Sequence, residues 1–194
     1  MAWSVGIVVY AVVQFIAFLL VLVATPIDMF RIRSSIATAS PHQCLTLWGL
    51  KENCGTTVYN MSSDDLWLLC PPRHNRFRAA QALAVITILV YGAAFVLGVM
   101  MLFCCSFFRW VCVALNIVGA GTLCFVWAAM VVTYNKSEGP RCLVMEDVYT
   151  YGAGFVLLVL TWVLDVLNIA VLLFPCPDSG SGEMGKVMET KSQD

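Results

Sequence analysis

Four apolar runs, each long enough to cross a bilayer, constrain this chain more than any other feature. They are Val5–Ala24, Ala80–Cys105, Trp110–Thr133 and Tyr151–Phe174. A helix needs about 20 residues to span the hydrocarbon. A backbone in lipid must satisfy its own hydrogen bonds, so these runs are expected to be helices. Pro26 and Pro175 stop the first and last, and Arg73, Arg76 and Arg78 precede the second. The composition agrees, with 60% of residues apolar and 12% charged. So short a chain cannot bury that excess in a soluble core. The lipid bilayer is therefore its first partner. A net charge of −1 gives no basic face for nucleic acid.

The first run has no Lys or Arg before it. It also exceeds the roughly 7–15 apolar residues of a signal peptide, so it reads as a retained anchor. Between the runs lie a large first loop (25–79), a bare turn (106–109) and a short third loop (134–150). Residues 1–4 form a short N-terminus. The tail, 175–194, is rich in Gly, Ser, Met, Lys and Glu and is expected to be disordered.

An even number of spans puts both termini on one side and the first and third loops on the other. Lys and Arg near span ends favour the cytosol. Loop one carries Arg31, Arg33, Lys51, Arg73, Arg76 and Arg78, against Arg109, Lys186 and Lys191 opposite. That count alone sends loop one to the cytosol. The glycosylation sequons starting at Asn60 and Asn135 argue the reverse, since both fall in the odd loops. So do Cys44, Cys54, Cys70 and Cys142, an even set suited to an oxidising compartment.

Loop one contains Cys44-Leu45-Thr46-Leu47-Trp48-Gly49-Leu50-Lys51-Glu52-Asn53-Cys54. Its first half alternates like a strand. Turn formers follow from Leu50 to Asn53, and Thr56 to Tyr59 is again β-prone. The expected unit is an antiparallel hairpin with Cys44 and Cys54 across it. A disulfide there would stabilise by roughly 3 kcal/mol in the chain-entropy model. Parity leaves Cys70 and Cys142 as a second pair, tying loop one to loop three. Trp48 has two readings, packing on the disulfide or touching a partner, and Gly49 permits a bulge or close approach. The run around Trp67 is either a membrane-surface segment or a recognition edge.

The Cys44–Cys54 string closely resembles the signature of the amastins, small surface proteins of kinetoplastid parasites. The resemblance extends over the chain: its length, four spans, large first loop and short third loop. It implies an all-α membrane protein, a claudin-like four-helix transmembrane bundle. A small disulfide-stapled extracellular β-hairpin or sheet would occupy the first loop. It also implies a plasma-membrane location with cytosolic termini. The signature and contact residues would be Trp48, Gly49, Lys51 and Trp67, meeting a host membrane or host protein. Together with the sequons and cysteines, this outweighs the charge count. Claudin barrier residues do not map onto this chain.

Inside the spans, polar residues mark positions with a purpose. Gln14 and Asp165 lie at one depth from the cytosolic face, and Asn116 with Asn168 at a shallower one, counting 1.5 Å per residue. The four are expected to form a polar cluster in the inner half of the bundle. It would serve either as interhelical glue or as a proton- or ion-handling site. Small residues such as Ala94 and Gly98 suit close helix contact, within one chain or between copies, so a homo-oligomer or lateral membrane partners are expected. Cys104, Cys105 and Cys176 sit where spans meet the cytosol and are palmitoylation candidates. No nucleotide loop, zinc spacing or nucleophile elbow appears. Neither an enzyme nor a cofactor is expected. Contact through loop one is the first functional expectation, and proton or ion transport through the Asp165 cluster is the alternative.

Overall fold

The computed structural model describes residues 5–33, 43–103, 108–136, 142 and 144–174. Four helices in it are long and apolar enough to cross a membrane: α1 (Val5–Ala24), α3 (Pro71–Phe103), α4 (Phe108–Asn135) and α5 (Ala153–Leu173). A short helix, α2 (Ser63–Leu66), lies in loop one. The long helices form a ring in which α1 touches α3 and α5, and α4 touches the same two.

Each long helix buries one narrow seam. In α4 it runs Cys112, Asn116, Gly119, Leu123, Val126, Met130, Thr133. In α5 it runs Gly154, Leu158, Thr161, Asp165, Asn168, Leu172. The spacing alternates between four and three residues, the heptad seam of left-handed helix packing. The residues on it are small or polar more often than large. Large apolar side chains such as Leu89, Phe125 and Leu167 point outward instead. That is the expected inversion in lipid, which solvates Leu as well as a protein core does. Gly98 and Gly119 let tyrosines pack in. A Cβ at Gly119 would stand 2.2 Å from the Tyr91 ring, and one at Gly98 would stand 2.8 Å from Tyr10.

The helix ends have identifiable stops. Thr25 closes the last turn of α1 with its amide on the Val21 carbonyl, and Pro26 prevents a further turn. Two prolines open α3, where missing N–H donors do no harm. Arg109 donates from Nε to the Leu172 carbonyl at 2.7 Å and from Nη2 to that of Leu173 at 3.2 Å. A cation at the C-terminus of α5 also suits the helix dipole.

Above the bundle sits an antiparallel sheet. Its strands are β1 (Asp28–Ile32), β2 (Cys44–Thr46), β3 (Gly49–Lys51), β4 (Met61–Ser62) and β5 (Tyr149–Tyr151). The order is β4-β3-β2-β1-β5. The sheet departs from the expected hairpin in three ways. The turn lies at Leu47–Trp48 rather than Leu50–Asn53. Thr46 causes this: its hydroxyl accepts from the amides of Trp48 (3.1 Å) and Gly49 (3.2 Å), closing the turn early. Residues 56–59 are not a strand; β4 pairs instead through Gly49 with Ser62 and Leu50 with Met61. Finally, the sheet belongs to two loops. Phe30 of β1 pairs with Leu45 on one side and with Tyr151 of loop three on the other.

That joint is tight. A Cβ on Gly152 would meet the Asp28 carbonyl at 2.4 Å, and one on Gly154 would meet the Ala24 carbonyl at 2.9 Å. Buried Asp28 accepts from the Ala153 amide at 3.2 Å and pairs with Arg31. Its carboxylate raises the Arg31 guanidinium above its ordinary pKa. Residues 71–79, read from sequence as loop, are the first turns of α3. The three arginines Arg73, Arg76 and Arg78 bound the membrane span in the sequence, but they do not discourage a helix.

Candidate functional site

Two regions concentrate the residues singled out from sequence. The first is the outer sheet with α2 and the start of α3. Cys44 and Cys54 are bonded there, with Cα atoms 5.3 Å apart, and Cys70 is bonded to Cys142 at 5.9 Å. Both separations suit a disulfide. The signature residues mostly face inward. Trp48 is half-buried against the core. A Cβ on Gly49 would stand 2.3 Å from the Met61 carbonyl, so only glycine lets β3 and β4 approach. Lys51 is buried, donates to the Pro26 carbonyl at 3.1 Å and lies 4.8 Å over the Tyr59 ring. Trp67 packs on Phe77, ring centroids 5.4 Å apart, with the Arg73 guanidinium 4.8 Å over its face.

What is left exposed is the segment after Trp67. Leu68 and Leu69 are 71% and 73% exposed. Beside them runs a groove of about 380 Å³ lined by Asp64, Asp65, Trp67, Leu68, Pro71, His74 and Arg78. Asp64 anchors its polar wall, 2.9 Å from His74 Nε2 and 3.3 Å from Arg78 Nη2. The sequence marks this apolar run, Leu66 to Leu69, as either a membrane-surface segment or a recognition edge, and the structure leaves Leu68 and Leu69 exposed.

Of the sequons, Asn60 is exposed but held: its Nδ2 donates to Glu52 Oε2 at 3.0 Å and its Oδ1 accepts from the Glu52 amide at 3.1 Å. Asn135 ends α4, exposed, with Nδ2 on the Val131 carbonyl at 2.9 Å. The palmitoylation candidates Cys104, Cys105 and Cys176 lie outside the described residues.

The second region is inside the bundle. Gln14, Asn116, Asp165 and Asn168 are all buried on the seams. Their pairing differs from the equal-depth expectation. Asn168 Nδ2 donates to Gln14 Oε1 at 2.8 Å, across α5 and α1. Asn116 Nδ2 donates to the Tyr10 hydroxyl at 2.9 Å and to the Cys112 carbonyl at 2.7 Å. Depth along each helix ignores rotation about it, and rotation decides who meets whom. Sequence reading missed two members, Tyr10 and Tyr91. Both are fully enclosed, and both interact electrostatically with Asp165. The available signal was a tyrosine at mid-span with seam glycines on the facing helix.

Several atoms of this cluster are buried without a hydrogen-bond partner: Gln14 Nε2, Tyr91 Oη, Asn116 Oδ1, Asn168 Oδ1 and both oxygens of Asp165. Among the described residues, no group of three His, Cys, Asp or Glu side chains is set to hold a metal ion. The chain matches a family model described as Amastin surface glycoprotein over residues 15–172. No protein in a comparison with curated sequences matches it.

Proposed function

Since this chain belongs to the amastin surface glycoprotein family, we propose that it acts by contact, through the outer end of loop one at the parasite–host interface. The carrying observation is the exposed Leu68–Leu69 pair beside the groove. α3 has 33 residues, a length of about 50 Å against about 30 Å of hydrocarbon. Its first nine residues, 71–79, lift the leucines about 13 Å clear of the span expected from Ala80. That height favours a contact edge over a membrane-surface segment in this reading. Exposed apolar patches of this kind mark contact sites.

The reading requires loop one outside the cell and both termini in the cytosol, at the plasma membrane. The two disulfides support that side, because thiols stay reduced in the cytosol. The contrary charge count loses weight here. Arg31, Lys51, Arg73 and Arg78 are each engaged within the outer fold. Glycosylation at Asn60 and Asn135, and lateral association with further copies, belong to the same proposal.

The test is surface adhesion. Leu68→Ser/Leu69→Ser, displayed at wild-type level, should lose most of the binding of expressing cells to host cells. Unchanged adhesion with normal surface display defeats the reading. A second reading, proton or ion movement through the inner cluster, is favoured by the unpartnered Asp165. Flux into proteoliposomes that disappears in Asp165→Asn would establish it, and no flux from folded wild type would end it.

A further inference from the structure

Asp165 is fully enclosed with the Tyr91 hydroxyl close by, and neither carboxyl oxygen meets a partner in ordinary hydrogen-bond geometry. Asn116 Oδ1 and Asn168 Oδ1, on the seams of α4 and α5, are buried and equally unpaired. Within the cluster the donor atoms left unpaired are Gln14 Nε2 and the Tyr91 hydroxyl. The asparagine nitrogens already bond elsewhere: Asn116 Nδ2 to Tyr10 Oη and the Cys112 carbonyl, Asn168 Nδ2 to Gln14 Oε1. Arg109, the basic residue at the cytosolic end of α4, is held by the carbonyls that end α5. So, among the described residues of this cluster, unpaired oxygens outnumber unpaired donors, and the Asp165 carboxyl has no ion-pair partner.

We propose that this cluster binds one monovalent metal cation of sodium size. Asp165 is the anionic ligand, and oxygens of Asn116, Asn168 and Tyr91 are the neutral ones. The inference deepens the ion-handling reading of the cluster and rests on it. Three features select this ligand class. All the donors are hard oxygens, which favours alkali or alkaline-earth ions over transition metals. There is a single carboxylate, so a monovalent ion leaves the enclosed site neutral, whereas a divalent ion leaves a buried charge uncompensated. A proton would also neutralise Asp165, but it would serve one oxygen and leave the amide oxygens unpaired. A metal ion serves several at once, in keeping with the rule that buried polar groups find partners.

The experiment uses the full chain purified in detergent, with thermal unfolding followed in NaCl, KCl and choline chloride at equal ionic strength. Sodium at ten times its dissociation constant should raise Tm by about 3–6 °C over choline. Potassium should do less, and Asp165→Asn should lose the sodium increment. Equilibrium dialysis with radioactive sodium on wild type should give about one ion per chain, which keeps the test decisive if the variant misfolds. Equal Tm values in all three salts with no bound sodium would overturn the proposal. A sodium increment that survives in Asp165→Asn would overturn it as well. Binding is read here without flux, so a bound ion with no transport upholds the site and defeats transport alone.

Discussion

The outer sheet and the inner half of the bundle treat polar groups in opposite ways. In the outer region most are engaged: Asp28 with Arg31 and the Ala153 amide, Lys51 with the Pro26 carbonyl, Thr46 with its own turn, with Trp67 Nε1 the exception. Its apolar leucines, by contrast, are left in water. Inside the bundle the side-chain oxygens of Asp165, Asn116 and Asn168 go unpaired, while the two asparagine nitrogens are bonded. Each region leaves uncovered what its own solvent disfavours, leucine in water and carboxylate in hydrocarbon. An unmet group in a hostile solvent is where a partner gains most, which is the common ground of the contact and cation proposals. Of the signature residues, Gly49 and Lys51 hold the sheet together, while Trp67 also lines the groove beside Leu68.

The contrast can be broken or sharpened by mutation. The largest effect on stability is expected from Cys44→Ser/Cys54→Ser, about 3 kcal/mol in the chain-entropy model. Chemical unfolding in bicelles would measure it, and protease sensitivity confined to loop one would locate it. A loss below 1 kcal/mol would mean the sheet holds without its staple. Next comes Gly119→Ala, whose methyl enters the Tyr91 ring; overpacking of this sort costs about 1–3 kcal/mol. A full-strength bundle in that variant would show that Tyr91 can move aside, loosening the enclosure argued for Asp165. Tyr10→Phe removes the hydroxyl that accepts from Asn116, a bond worth about 0.6 kcal/mol if it behaves as measured interhelical bonds do. A much larger loss would make the cluster a structural keystone. The smallest change is expected in Leu68→Ser/Leu69→Ser, within about 0.5 kcal/mol, as for exposed sites without partners. If that pair instead destabilised the outer fold, the leucines would be core, and loss of adhesion would prove nothing.

Much of this was legible beforehand, for reasons particular residues make plain. Four runs near 20 apolar residues admit one outcome in lipid, and Pro26 marks the end of the first. The cysteines of the signature stand ten residues apart, near enough that a hairpin joins them. Gln14, Asn116, Asp165 and Asn168 stood out because polar residues at that depth are rare. Their partners did not, because Tyr10 and Tyr91 look like ordinary members of an apolar run until Gly98 and Gly119 are seen beneath their rings.

The sequence by itself determined the number of spans and the chemistry of their few polar positions. Those depend on local composition and on the refusal of hydrocarbon to bond a backbone. Only the tertiary structure decided which faces meet, that β5 completes a sheet begun in loop one, and that Gln14 pairs with Asn168. Lipid rewards no particular face of an apolar helix, so hydrophobic pattern carries little information about rotation. Contacts between residues more than a hundred positions apart, such as Phe30 with Tyr151 and Tyr10 with Asn116, settle it by fit instead.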